Sequence, residues 1–215
     1  MMNKCIIFAN GQFSSVPNSI NLNQIIIAAD GGARHCLESG INPQFVIGDF
    51  DSLSEEELTF LKSNGVELIK YSTQKDETDL ELAVNFAINQ GCRDISVYGA
   101  FGGRLDMTFA NILLLASPIY TGIHFKIIGT KTTAYILRSG ETLELKSKPG
   151  TTVSIIPLGG SATGITYNGL KWPLEKAILP FGTPKGVSNQ TTQNISKIFL
   201  EEGIILIFVI DSDAF

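Results

Sequence analysis

A chain of 215 residues with 44% hydrophobic and 17% charged residues carries enough apolar material for one large domain or two small ones, which excludes disorder for its bulk. The formal charge of −5, with no basic run or stripe, argues against a nucleic-acid surface, where Lys and Arg cluster. Cys5, Cys36 and Cys92 lie far apart with no C-x-x-C pair, which argues against a zinc site or a disulfide framework.

The opening stretch MMNKCIIFANG holds too short an apolar run for a secretory signal. In chain order, residues 5–9, 25–28, 45–47, 66–70 and 95–98 read as strands: brief, rich in Ile and Val, and bounded by Gly, Asn or Asp. Residues 32–39, 54–64 and 78–90 between them read as helices, and 106–116 as a further helix after the fifth strand. The helix at 78–90 is the clearest, with Leu80, Ala83, Val84, Ala87 and Ile88 at helical spacing and Thr78 with Glu81 as a capping-box pair. Strand–helix alternation of this kind predicts a parallel sheet with helices on its faces.

From about residue 121 the texture changes. Residues 124–128, 133–137, 141–146, 152–157, 164–167, 195–200 and 204–210 are strand-like runs separated by Gly and Pro. They predict an antiparallel β-domain, a sandwich. The division is thus 1–120 and 121–215. The apolar run 203–210 suits a strand and is far short of the about 20 residues a spanning helix needs. Without a secretory signal, Asn189-Gln-Thr191 and Asn194-Ile-Ser196 match the glycosylation pattern by chance. The expectation is a soluble, cytoplasmic protein.

Open parallel sheets bind ligands outside the carboxyl ends of their strands, and four sequence blocks place Asp at that edge. Residues 25–28 run into Asp30-Gly31-Gly32, and 45–47 run into Gly48-Asp49-Phe50-Asp51-Ser52. Residues 66–70 lead to Lys75-Asp76-Glu77-Thr78-Asp79, and 95–98 lead to Gly102-Gly103-Arg104-Leu105-Asp106. If extended, Asp49 and Asp51 point to one side of the chain, and a helical turn does the same for Asp76 and Asp79. Converging carboxylates need a cation, and hard oxygen donors suit Mg²⁺ held together with substrate phosphates. Lys75 and Arg104 are placed to meet phosphate oxygens, and the glycines leave room for backbone to approach an anion. Taken singly, each block also has a plain reading: Asp79 and Asp106 favoured by a helix dipole, Asp30-Gly31 and Gly102-Gly103 as turns. Together they describe a nucleotide-phosphate site. The P-loop pattern is absent, and Gly99-x-x-Gly102-Gly103 does not fit the dinucleotide fingerprint.

The motifs ADGGA (29–33), GDFDS (48–52), KDETD (75–79) and GGRLD (102–106) resemble, in order and spacing, those of thiamine pyrophosphokinases. GLKWPL (169–174) and GVSN (186–189) are similar to the thiamine-binding end of the bacterial members. The resemblance implies an α/β, Rossmann-like N-terminal domain that binds ATP, then a β-sandwich that binds thiamine, in a homodimer with active sites between subunits. It implies that ATP and thiamine give AMP and thiamine diphosphate. It also implies an acidic site of Asp30, Asp49, Asp51 and Asp79, with Asp49, Asp51 and Asp79 as magnesium ligands. Gly31, Gly32, Lys75, Asp76, Gly102, Gly103, Arg104 and Asp106 then belong to the ATP side, and Ser188 and Asn189 to the thiamine pocket. Two positions depart from the bacterial pattern, Met107 where His is frequent and Gln190 where Glu is frequent.

Trp172, the only tryptophan, either stacks on the cationic thiazolium or is an aromatic of the sandwich core or an interface. Asp79 and Asp106 are both candidates to accept the thiamine hydroxyl proton. His35 and His124 stand outside the motifs, so a histidine base is disfavoured. Two rival readings remain: a metal-dependent nucleotide-sugar transferase, since such enzymes also use D-x-D after a strand, and a non-catalytic thiamine or nucleotide sensor.

Overall fold

The computed structural model describes residues 3–13 and 24–211. The described residues form two compact units. The first runs to Ser117 and also takes in Gly122–Thr130, while the second holds Pro118–Thr121 and the chain from Lys131 onward.

The first unit alternates strand and helix: β1 (Asn3–Phe8), β2 (Ile25–Ala29), α1 (Gly32–Glu38), β3 (Phe45–Gly48), α2 (Glu55–Ser63), β4 (Glu67–Lys70), α3 (Asp79–Asn89), β5 (Cys92–Tyr98), α4 (Leu105–Ala116) and β6 (His124–Ile128). Its strands lie in the order β6-β5-β1-β2-β3-β4, and neighbours along that order pair in parallel. The chain steps outward from β1 to β4, then crosses back to place β5 on the other side of β1. The registers Phe8↔Ala28 and Phe8↔Tyr98 bring the carboxyl ends of the central strands level. That level edge, at the point where strand order reverses, is where such a sheet takes its ligand.

The strands are apolar at consecutive positions because both sheet faces are covered. Ile6, Phe8, Ile26, Ala28 and Val46 share a buried cluster with Ala33 and Cys36 of α1 and Leu61 of α2. On the alternate face, Phe45 meets Phe86 of α3, ring centroids 4.8 Å apart. Thr78 caps α3 by accepting the Glu81 N–H. The reciprocal capping box, expected at that helix, is complete instead at α2, where Ser54 and Glu57 satisfy each other's backbone.

The second unit comprises β7 (Thr132–Arg138), β8 (Thr142–Lys146), β9 (Thr152–Pro157), β10 (Ala162–Asn168), β11 (Ala177–Leu179), β12 (Asn189–Gln190), β13 (Ile195–Phe199) and β14 (Ile204–Ile210). Two antiparallel arrays result, β12-β9-β14-β7 and β11-β10-β13-β8. One buried cluster draws on both, including Leu137, Val153, Ile155 and Ile205 from the first and Leu145, Ile165, Leu179 and Ile198 from the second.

Two sequence expectations change. Residues 124–128, grouped with the antiparallel half, form β6, which pairs in parallel with β5 through Asp94↔His124 to Tyr98↔Ile128. The first unit therefore reaches past residue 120 to Thr130. Composition could not reveal this, because a short apolar strand reads alike whether its partner runs parallel or antiparallel. The strands β11 and β12 also escaped the pattern, being three and two residues long.

Candidate functional site

The exits of β1, β2, β3 and β5 and the starts of α3 and α4 surround a cleft of about 750 Å³ in the first unit. Each contributes for a local reason. Asp30 follows β2 in a left-handed turn, φ 44°, which Asp tolerates better than most residues. Its N–H bonds to Ile47 O at 2.8 Å and its carbonyl accepts from Ala33 N at 3.0 Å, so the turn is fixed to β3 and α1. Asp30 is only 3% exposed, yet its Oδ1 is buried without a hydrogen-bond partner. An orphaned carboxylate oxygen is costly.

One ligand oxygen each from Asp30, Asp49 and Asp79 lies within 4.8 Å of the other two. Gly48 makes this approach possible, because a Cβ there would sit 2.9 Å from Asp30 Cβ and 3.1 Å from Asp79 Oδ1. Lys75 Nζ donates to Asp79 Oδ1 at 2.5 Å. The Asp79 carboxyl is raised above its usual range, first by burial; Lys75 opposes the shift, and Asp30 and Asp49 add to it.

Asp51 lines the cleft but stands outside the group of three. The extended run assumed for Asp49 and Asp51 is broken by Phe50, whose φ is 67°. Phe50 buries its ring in the first core cluster, and that burial offsets a backbone cost of about 1–3 kcal/mol. Asp51 ends exposed, its N–H on Asp49 Oδ1 at 3.2 Å. The carboxylate that completes the trio is Asp30.

Arg104 reaches the cleft from the exit of β5. Its Nε and Nη2 donate to Asp106 at 3.2 and 2.5 Å, which holds the Asp106 carboxyl below its usual range. Asp76 is exposed and is not among the residues lining the cleft, whereas its neighbours Glu77 and Thr78 are. Gly31 and Gly32 are likewise behind the wall. Cβ atoms there would lie 2.4 Å from Asn10 Nδ2 and 2.0 Å from Phe8 O, so these glycines let α1 press on the end of β1. Gly102 donates to Thr108 Oγ1 at 3.1 Å, and Gly103 lines the cleft beside it.

Sequence reasoning passed over Asn10-Gly11-Gln12 at the exit of β1, and Thr108 and Asn111 of α4, all of which line the cleft. Gly11 donates to Gly99 O at 2.7 Å and Gln12 to Phe101 O at 2.8 Å, while Asn111 Nδ2 donates to Ala100 O at 3.0 Å. These bonds tie the loop after β5 in place. The signal was an Asn-Gly pair after an apolar run, where the other strands carry their Asp motifs.

In the second unit, Asn189 is buried. Its Oδ1 accepts from Trp172 N at 3.1 Å and its Nδ2 donates to Trp172 O at 2.8 Å. Trp172 itself is 54% exposed, so it is not a core residue; Lys171 Nζ lies 4.8 Å over its ring. Ser188 is exposed at φ 61° and donates its N–H to Ser154 Oγ at 3.0 Å. Met107 lines the cleft of the first unit, and Gln190 pairs with Thr152 in β12–β9.

Comparison with known proteins supplies the lineage. The family model described as thiamin pyrophosphokinase, catalytic domain, matches residues 16–127, and that of the vitamin B1 binding domain of the same enzyme matches 141–205. A Bacillus subtilis protein named thiamine pyrophosphokinase is 29% identical over 180 residues, covering 84% of each chain. A rice relative, thiamine pyrophosphokinase 1, is 24% identical over 83% of this chain and 76% of its own. Among solved structures, the thiamine pyrophosphokinase of Bacillus subtilis superposes with a TM-score of 0.87 at 24% identity, covering 98% of this chain and 100% of its own. That of Geobacillus thermodenitrificans gives 0.83 at 26% identity, covering 98% and 99%.

Proposed function

The chain belongs to the thiamin pyrophosphokinase family, and from that premise we propose how its parts share the work. The activity is an ATP-dependent diphosphotransfer: thiamine and ATP give thiamine diphosphate and AMP. In this reading the first unit is a Rossmann-like ATP-binding domain, and the second a β-sandwich that binds thiamine. The single observation that carries the division is the meeting of Asp30, Asp49 and Asp79 within 4.8 Å, in a cleft of about 750 Å³ at the carboxyl edge of a parallel sheet.

The donor set fits magnesium. All three groups offer hard carboxylate oxygens, Asp30 Oδ1 is buried and unpartnered, and Gly48 leaves the space between Asp30 and Asp79 open. Asp30, Asp49 and Asp79 would hold the ion, with Asp51 at the rim. The chemistry that Mg²⁺ supplies when bound is neutralisation of phosphate charge and of the departing AMP.

The protein's own groups position and neutralise, which is the main demand of phosphoryl chemistry. Arg104, with Asp106 bracing its guanidinium, presents planar donors to phosphate oxygens. The backbone at Gly102 and Gly103 lets the diphosphate approach closely. Asn10, Gly11 and Gln12 form the opposite wall. In the second unit Asn189 fixes the Trp172 backbone, and the exposed indole is offered to the thiazolium face. Because Asn189 spends its amide on that backbone, its part in thiamine binding is through Trp172.

A cytoplasmic homodimer with active sites at the subunit interface follows from the same resemblance. Exposed Leu105, Phe109 and Leu113 on one face of α4 support a surface for a second copy. If Leu113→Asp leaves the solution mass of the purified protein at that of the wild type, this face is not the dimer contact.

Incubation of the purified protein with MgATP and thiamine tests the activity. AMP and thiamine diphosphate should appear in equal amounts. Release of a nucleoside diphosphate would point to the nucleotide-sugar transferase, and ligand binding with no AMP to the sensor.

A further inference from the structure

The Lys75 side chain is 12% exposed, against 31% for the Asp79 side chain that it contacts at 2.5 Å. Its ammonium also lies 5.8 Å from the Tyr71 ring centroid. An ammonium so withdrawn from water is held by these partners in place of its hydration shell. The oxygen it holds is Asp79 Oδ1, the atom that faces Gly48 beside Asp30. Asp30, Asp49 and Asp79 carry three formal negative charges with ligand oxygens within 4.8 Å, and Lys75 offsets one of them from inside the protein.

On the reading of this trio as the magnesium site, we propose that Lys75 is a resident counter-cation. In the nucleotide-free protein it occupies Asp79 Oδ1 and competes with a divalent ion. It gives up that oxygen when metal and polyphosphate arrive together. The competition has a physical basis. An ammonium has donors only, a metal needs the same lone pairs, and two cations a few ångströms apart repel. A polyphosphate removes the conflict by giving the ammonium new acceptor oxygens at the end of a flexible stem. Metal uptake is thereby coupled to nucleotide uptake, and Mg²⁺ alone binds weakly.

A structural alternative makes the opposite forecast. If Lys75–Asp79 only ties the approach to α3 onto its first turn, deleting the ammonium loosens Asp79 and weakens metal binding. Isothermal titration of the nucleotide-free full chain with MgCl₂ separates the two. Lys75→Met should bind Mg²⁺ more tightly than the wild type by about tenfold or more, the scale of removing one like charge a few ångströms away even under full aqueous screening. Lys75→Gln should move the same way and serves if the Met variant folds poorly, while Lys75→Arg should stay near the wild type. The wild type should in turn bind Mg²⁺ far more tightly beside a non-hydrolysable ATP analogue. Equal or weaker Mg²⁺ binding by both neutral variants overturns the counter-cation, as does nucleotide-independent Mg²⁺ affinity in the wild type. If that happens while the wild type still makes thiamine diphosphate and AMP, only the role of Lys75 falls. If the wild type makes neither product, the functional reading falls with it.

Discussion

The cleft of the first unit and the Trp172–Asn189 corner of the second both carry motif residues, but they satisfy them in opposite ways. Asp30 is as buried as a core residue and leaves Oδ1 without a partner. Asn189, equally hidden, has both ends of its amide bonded to one neighbouring backbone. A buried polar group normally finds its partners within the fold. Asp30 Oδ1 departs from that norm at the wall of a cleft, whereas the amide of Asn189 is closed by its neighbours. The same sequence logic nominated both residues. Only their hydrogen bonds separate a carboxylate left open in the cleft from an amide closed by the neighbouring backbone.

The contrast is breakable, and most sharply at the carboxylates. Asp30→Asn and Asp49→Asn should each lower kcat/KM for MgATP by about 100-fold or more, the scale of losing one preorganised electrostatic group. Asp51→Asn, outside the trio, should cost less, about tenfold on the same scale. Steady-state AMP release measures all three, and an Asp51 variant worse than the Asp30 variant would return the metal to the set expected from the motif alone.

A smaller effect is expected in the second unit. Asn189→Leu abandons two backbone partners of Trp172, so thermal unfolding should show a loss of about 1–3 kcal/mol. The KM for thiamine should rise while that for ATP holds. If Asn189→Leu instead keeps wild-type stability and loses all thiamine affinity, the residue binds thiamine directly and the contrast fails.

The smallest effect concerns the ion pair between α1 and α2. Glu57 caps α2 and receives Arg34 of α1 at 2.7 and 3.1 Å, and Arg34 with the Ser54 backbone pulls its carboxyl from 4.5 down to about 2. A depressed acid stabilises the fold above its unfolded pKa and loses that contribution as pH falls through the folded one. The melting temperature of Glu57→Gln should therefore lie about 2–4 °C below the wild type at neutral pH, by the usual size scaling. The gap should close between about pH 4.5 and 2. A gap that persists unchanged at low pH would mean that charge is not its origin.

Much of the first unit was legible in the residues. Its central strands β1, β2 and β3 carry runs of consecutive buried apolar residues because both sheet faces are covered, and the strand exits are punctuated by Asp and Gly, so elements and motif edges coincide with the fold. The legibility failed where neighbours decide. Asn10-Gly11 gained meaning only once β1 was seen beside β5, because the bonds Gly11–Gly99 and Gln12–Phe101 join segments about ninety residues apart in sequence. Thr108 and Asn111 looked like ordinary helix positions until their side chains met the loop after β5.

Sequence alone determined the family, the strand–helix alternation, and which four exits would bear carboxylates, since these depend on residue type and short-range spacing. Tertiary structure decided which three carboxylates meet. The left-handed turns at Asp30 and Phe50 aim side chains in directions that strand alternation cannot forecast, and only packing of Phe50 into the core makes its turn tolerable. It also assigned β6 to the parallel sheet, because a strand's partner is chosen by register and burial across the fold, not by its own composition.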